Sequence, residues 1–358
     1  MLFLQAWNAI LSVCCNIFHW LLSLWPLGQR IPPGKASSPG VHVAIRLARH
    51  RDYNAVMRIS EALLYGTDYL RAKFHSFIDA PDVTVFLAEV GHKVVAVKAS
   101  KIVDSGTVSI TKASRVAPEW REQGIDRKMT LYLDQWIRKN RPRVKYKRSV
   151  TYANGRRAET LRKRMRHVFS VPFIVNHCGP SLWWRQDPAQ LAQLDTTGLP
   201  DVVPLQTADD DFCTALQKWL PSEACAGYHG KPIILIERDP YILCPANSNR
   251  LQARAHNALY TLKHEGEWSL SVVDTYPAQC GRMLSLDIYA KDFLTLQKHL
   301  LKHLHDLSIR FRHEHICTRV FVGLSELKDQ VQNFCEEVLQ MDASHLPFSE
   351  MGVFECEL

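Results

Sequence analysis

The stretch Val83–Asp126, VTVFLAEVGHKVVAVKASKIVDSGTVSITKASRVAPEWREQGID, decides how this chain folds. It holds three strand-like runs in succession, at 83–89 (VTVFLAE), 93–102 (KVVAVKASKI) and 107–116 (TVSITKASRV). Gly91 with His92, and Ser105 with Gly106, punctuate them as turns, so the runs predict an antiparallel meander. The meander ends in the loop Arg115–Asp126, which leads into a helical pattern at about 127–139. A loop feeding a helix N-terminus is a natural anion site, because the first helical amides are unpaired and the helix dipole is positive there. Gly124 lets the backbone approach a phosphate closely.

Alternation of Val41, Val43, Ile45 and Leu47 upstream predicts a half-buried strand. Asp52 can cap a helix carrying Val56, Ile59, Leu63 and Leu64 at helical spacing, and a second helix is predicted at Tyr69–Ile78. Downstream come a strand at 144–151, a helix at 155–166 and a strand at 168–175. The order β-α-α-β-β-β-α-β-α-β implies an α/β fold, an α+β mixed sheet with helices on its faces.

The whole chain has 358 residues, 46% of them apolar and 22% charged, an ordinary globular balance that excludes wholesale disorder. That length fits two domains. The formal net charge of +8 is uneven: thirteen Lys/Arg and the single acid Glu159 fall in residues 138–167, and the rest of the chain holds 31 basic against 35 acidic residues. Ten cysteines are scattered, apart from adjacent Cys14 and Cys15, with no CxxC pair. They read as reduced thiols rather than a disulfide framework or zinc ribbon.

Residues 1–28 carry no Asp, Glu, Lys or Arg and are long enough to cross a bilayer as a helix. With no basic leader and no small-residue cleavage site, they read as a retained membrane anchor rather than a signal peptide. Arg30, Lys35, Arg46, Arg49 and Arg51 follow, which would keep the folded part on the cytoplasmic side. An interfacial helix, or a helix packed on a cytoplasmic protein, is the alternative. Residues 29–40 read as a Pro/Gly/Ser-rich linker.

Val116, Pro118, Arg121 and Gly124 resemble the V-x-P-x-x-R-x-x-G-x-G/A signature of GNAT acyltransferases, with Asp126 where Gly or Ala is usual. The segments Tyr65-Gly66-Thr67-Asp68-Tyr69-Leu70 and Phe74-His75-Ser76-Phe77 resemble the histidine N-acetyltransferase-like proteins of animals, as does Met283–Leu304. The resemblance covers about residues 41–358. It implies acetyl transfer from the co-substrate acetyl-CoA to a small-molecule amine, with L-histidine as the acceptor and no metal. Arg115, Val116, Ala117, Arg121, Gln123, Gly124 and Ile125 would hold acetyl-CoA, joined by Asn154, which reads equally as a helix N-cap. Backbone amides near Ser114–Val116 would stabilise the oxyanion. Tyr69 and His75 are the candidate substrate ligand and base, against a role at the core edge.

Three departures weigh against efficient catalysis. Glu122 and Asp126 bring two carboxylates to a phosphate loop, Lys112 replaces the Glu of related sequences, and no Tyr lies between Leu161 and Phe169. The alternative function is therefore a catalytically impaired membrane-associated scaffold. The basic segment 138–167 reads as a surface for anionic membrane or, in part, for the CoA 3′-phosphate; with no interleaved aromatics beyond Tyr146 and Tyr152 and no nucleic-acid motif it disfavours RNA and DNA.

Two domains are expected, 41–180 and 200–358. The second predicts strands at 232–237, 241–244, 258–263, 268–273, 283–289 and 317–323, helices near 291–307 and 325–341, and a last strand near 352–357. It reads as a degenerate GNAT-like repeat, because its turn Tyr289-Ala290-Lys291-Asp292 has no glycine to cradle a pyrophosphate. His299 and His303 have the spacing of a helical metal pair but read as a solvated face.

Overall fold

A computed structural model describes residues 42–59, 66–194, 198–205, 233–245, 257–344 and 346–358, with Cys213, Thr214, Gln217 and Asn247 between them. The apolar segment 1–28, the linker 29–40, Leu63, Leu64 and Tyr65 lie outside the described residues. Among the described residues no helix is long and apolar enough to cross a membrane.

The first half runs β1 (Ala44–Leu47), α1 (Tyr53–Ile59), α2 (Leu70–Asp79), β2 (Val83–Val90), β3 (Lys93–Val103) and β4 (Val108–Val116). It continues with α3 (Ile125–Asn140), β5 (Tyr146–Tyr152), α4 (Arg156–Arg162) and β6 (Arg166–Cys178). The second half runs β7 (Val203–Pro204), β8 (Ile233–Ile236), β9 (Asp239–Ile242), β10 (Asn257–His264), β11 (Glu267–Ala278) and β12 (Gly281–Tyr289). Then follow α5 (Phe293–Arg310), β13 (Ile316–Val322), α6 (Lys328–Asn333), β14 (Asp342–Ala343) and β15 (Glu350–Glu357). The expected mixed α/β class holds.

Alternation along β2 explains how both faces are covered. Phe86 and Ala88 meet Ile125, Met129, Leu133 and Ile137 of α3, whose spacing of four puts them on one stripe. Val85 and Leu87 point the other way, onto Val56 of α1 and Leu70 and Phe74 of α2. In the second half Leu296, Leu300, Leu304 and Leu307 of α5 cover Leu284, Leu286 and Ile288 of β12. Each fully buried Val, Leu, Ile, Phe or Met among them contributes about 1.5–3 kcal/mol.

The two halves repeat one pattern. In each, an antiparallel meander (β2–β3–β4, β10–β11–β12) is followed by a helix and a strand parallel to the last of the three (β4 with β5, β12 with β13). The repeats nevertheless share one sheet, ordered β1-β2-β3-β4-β5-β15-β6-β13-β12-β11-β10-β7, with β8–β9 a separate hairpin. The last strand of the chain lies between β5 and β6 of the first half, pairing Val353 with Val150 on one side and Phe169 on the other. Strand β6 in turn bridges β15 and β13. Met351, Val353 and Phe354 are wholly buried there, and Glu355 is buried against Arg148 at 2.5 Å.

One expected surface turns out to be interior, and another is interrupted. His299 and His303 are buried beneath β11, where the Ser271 hydroxyl sits 2.6 Å from His299 Nδ1 and 2.8 Å from His303 Nε2. Burial pushes both imidazoles down to about 3, so they stay neutral, and the solvated-face reading is corrected. In the basic stretch, Lys147 is buried on Asp134 at 2.5 Å and Arg148 is buried between Glu355 and Asp104. Residues 138–167 are therefore not one continuous solvated face. The described cysteines are free thiols.

Candidate active site

Strands β4 and β5 pair only from Val108↔Tyr146 to Thr111↔Ser149, then part. A bulge in β4 causes the divergence: its register against β3 shifts between Val97 and Ala99, and Ala113 takes the left-handed φ of 47°. The bulge turns the Ala113 N–H onto the Tyr69 hydroxyl, which accepts it at 3.1 Å. In the second half β12 and β13 stay paired from Arg282↔Ile316 to Ile288↔Val322, so no comparable gap opens.

Beyond the gap, Glu122 and Gly124 both have positive φ, 62° and 74°, and Gly124 is the N-cap of α3 with no side chain closing it. A Cβ on Gly124 would meet nothing within 4 Å, so the helix terminus faces open space. That space is a cleft of about 590 Å³ lined by Val116, Arg121, Glu122, Asp126, Arg127 and Arg164, among others. Arg164 belongs to the basic stretch and brings a third guanidinium to the cleft.

Asp126 is already engaged. Its carboxylate lies 2.7 Å from the Lys98 ammonium and accepts a 2.7 Å hydrogen bond from Ser114 Oγ. Lys98 shares the α3-facing side of β3 with Ala96, is 2% exposed, and also donates to Thr130 Oγ1 at 2.5 Å. Burial pulls its ammonium down to about 8 against the pull of Asp126. Burial would raise Asp126, but Lys98 and Arg157 outweigh it and hold the carboxyl at about 2. The two carboxylates of the loop are thus unequal: Asp126 is neutralised from below, and Glu122 is exposed.

The other expected cofactor ligands divide. Ala117 is buried and its N–H is held by Val95 O at 2.9 Å. Arg121 Nε donates to Val116 O at 3.2 Å, and the Gln123 amide donates to Glu119 O at 3.1 Å. Ile125 packs in the core, and Asn154 is exposed on the turn before Gly155, which takes the N-cap of α4. Arg115 points instead into a second cavity, paired with Asp68 at 2.9 Å.

That second cavity, about 170 Å³, fills the gap between β4 and β5 and is lined by Tyr69, Lys112, Arg115, Tyr152, Arg157 and Arg238, among others. Three cations surround the Tyr69 ring, with Lys112 Nζ at 5.3 Å and the Arg115 and Arg238 guanidinium carbons at 5.8 Å. Burial raises the phenol, but these charges outweigh it and hold the hydroxyl below the ordinary tyrosine range. His75 lies elsewhere. It is exposed, stacked on Tyr53 at 5.0 Å, with Nδ1 2.9 Å from His50 Nδ1.

The β8–β9 hairpin supplies residues that the sequence reading did not single out. Its two turn residues, Glu237 and Arg238, have φ of 52° and 62°, a geometry that Asn-Gly normally fills. Asp239 lies between Lys112 and Lys101, the latter at 2.5 Å, and these lysines hold it well below the usual carboxylate range despite its burial. Lys73 of α2 bridges Asp274 and, at 3.9 Å, Glu237. Burial, then Asp274, raises Glu237, and burial raises Asp287, which accepts the Glu237 N–H at 2.7 Å. The available signal was the charged run Glu237-Arg238-Asp239 between the apolar runs IILI and YILC.

No family model matches the chain. It is 24% identical to the human "Probable N-acetyltransferase 16" over 83% of this chain and 81% of that protein. It is 23% identical to the "Histidine N-acetyltransferase" of Oreochromis niloticus over 91% of this chain and 96% of that protein. The chain resembles N-acetyltransferases. The likeness read from the Tyr65–Leu70 and Met283–Leu304 islands is borne out by these relatives. Among solved structures it is similar to a "Tandem GNAT protein from the clavulanic acid biosynthesis pathway", at a TM-score of 0.49, 11% identity, and coverage of 88% of this chain and 98% of that one.

Proposed function

We propose that this protein is an N-acetyltransferase that takes the acetyl group from acetyl-CoA and passes it to the amine of a small molecule, with L-histidine the leading acceptor. The observation that carries the reading is the parting of β4 from β5 beside an open, glycine-capped helix N-terminus. The relatives' names support the acetyl group and the acceptor. When bound, acetyl-CoA supplies an acyl thioester open to attack by a neutral amine.

The chain's own groups suit each part of that task. The first amides of α3, with Arg121, Arg127 and Arg164, hold the phosphates. The Ala113 N–H, aimed into the gap, stabilises the oxyanion once the Tyr69 hydroxyl yields it. The acceptor nitrogen gives up one proton and forms the new C–N bond, while the C–S bond breaks and the sulfur leaves as a thiolate. The amine proton passes to solvent water, and Tyr69, whose hydroxyl stands at the Ala113 N–H in the gap and has a lowered pKa, donates one to the thiolate. The products are an N-acetyl amine and a free thiol. Titration of the full chain with acetyl-CoA should release heat, and adding L-histidine should yield thiol and N-acetylhistidine in equal amounts. No heat at millimolar acetyl-CoA would overturn the reading.

A further inference from the structure

The other two cations over the Tyr69 ring, and the lysines behind them, are engaged. Arg115 pairs with Asp68, Lys112 and Lys101 with Asp239, and Lys73 with Asp274. Arg238 differs. Its Nη1 is buried and has no hydrogen-bond partner among the described residues, although it lines the cavity beside Tyr69. A buried guanidinium nitrogen without an acceptor is costly, and natural structures keep such groups where a ligand or water satisfies them.

The backbone that carries Arg238 points the same way. Glu237 and Arg238 occupy consecutive left-handed positions in a two-residue turn, a strained choice for side chains of this size. The turn is held from three directions. The Glu237 N–H donates to Asp287, Asp239 is clamped by two lysines, and the Pro240 carbonyl accepts from Arg148 at 3.0 Å. Strain that is held this firmly places Arg238 at the mouth of the cavity and keeps it there.

We propose that Arg238 is the specificity residue for a carboxylate on the acceptor, so that the site selects α-amino acids over amines lacking that group. The proposal rests on the acetyltransferase reading above. A carboxylate on Arg238 leaves the α-amine one carbon away, within reach of the Tyr69 ring, whose hydroxyl marks the Ala113 amide. Lys112 and Arg115, the other cations over that ring, keep their own carboxylates and need no ligand. Recognition of the acceptor thus comes from the second half of the chain, and the acyl-donor loop from the first.

The test uses the full chain with acetyl-CoA and compares L-histidine with L-histidinamide, which keeps the amine and imidazole but loses the carboxylate. The wild type should favour L-histidine in kcat/KM by about ten- to hundredfold, the worth of a charge-assisted hydrogen bond. Arg238→Gln should bring that ratio close to one, mainly through KM for L-histidine, and Arg238→Lys should restore part of it. Equal use of both acceptors by the wild type, or an unchanged ratio in Arg238→Gln, would overturn the proposal while leaving the acetyltransferase reading intact. Should no acceptor be acetylated, calorimetry with N-acetyl-L-histidine and N-acetylhistamine decides separately. A preference for the carboxylate that vanishes in Arg238→Gln upholds the inference, and no preference overturns it.

Discussion

Replacing Phe354 by alanine tests whether the last strand belongs to the first half of the chain as much as to the second. Phe354 is wholly buried in β15, opposite Ser149 on β5 and His167 on β6, with the His167 ring 5.2 Å away and the Arg162 guanidinium 5.7 Å away. Removing a buried phenyl ring costs about 3–5 kcal/mol in transfer energy and residual cavity. At about 2 °C per kcal/mol for a unit of this size, the midpoint should fall by about 6–10 °C. Because β15 is laced into both halves, residues Val43–Leu358 should lose that stability in one transition, followed by scanning calorimetry. Val338→Ala, at a side chain 40% exposed, should move the midpoint by no more than about 1 °C. The reasoning fails if the thermogram of Phe354→Ala shows an unshifted first-half transition beside a lowered second one.

Lys98→Met should flatten a pH dependence. The folded ammonium titrates at about 8 and the unfolded one near 10.5, so the unfolded chain binds more protons between those values. The penalty for burying this charge is present below pH 8 and relieved as pH rises to about 10.5. The wild type should therefore gain about 3 kcal/mol over that range relative to the variant in urea titrations, and parallel profiles would contradict the assignment. Tyr69→Phe should cost about 1–2 kcal/mol by stranding the Ala113 N–H and lower kcat by about a hundredfold, with the alkaline limb of the rate profile moving upward; full activity would remove Tyr69 from the chemistry. His75→Ala, at an exposed ring outside the cavity lining, should stay within about twofold of wild-type kcat/KM, and a tenfold loss would bring His75 back as a base.

Local periodicity made the secondary structure legible. The runs at 83–89, 93–102 and 107–116 became β2, β3 and β4 within one or two residues, and Gly124 stands at the helix terminus expected of it. What could not be read was pairing between residues far apart in sequence. The strand near 352–357 formed, but its neighbours β5 and β6 lie about two hundred residues away, and alternation does not name a partner. His299 and His303 read as solvated because no acidic ligand of clear geometry lies near them in sequence. Only the hydroxyls of Ser269 and Ser271 on β11 make their burial tolerable. The charged tip of the β8–β9 hairpin looked like an ordinary turn for the same reason, since its partners Asp287, Lys101 and Lys112 come from three other strands.

Lys112 shows what that distribution of partners implies. Read alone, a lysine where related sequences carry glutamate counts against catalysis. In the fold its charge is answered by Asp239 from the hairpin, which also answers Lys101, while Asp274 and Glu237 answer Lys73. All three lysines stand on β3, β4 or α2 of the first half, and all the carboxylates stand on the second. Cutting the chain at residue 180 takes away these carboxylates and also β15, which leaves β5 and β6 without the strand between them and uncovers the surface that Met351, Val353 and Phe354 bury. The first half taken alone should therefore not fold. A fragment of residues 41–180 should be aggregated or unfolded by circular dichroism, whereas a cooperative melt with acetyl-CoA binding would mean that the second half is only a cap.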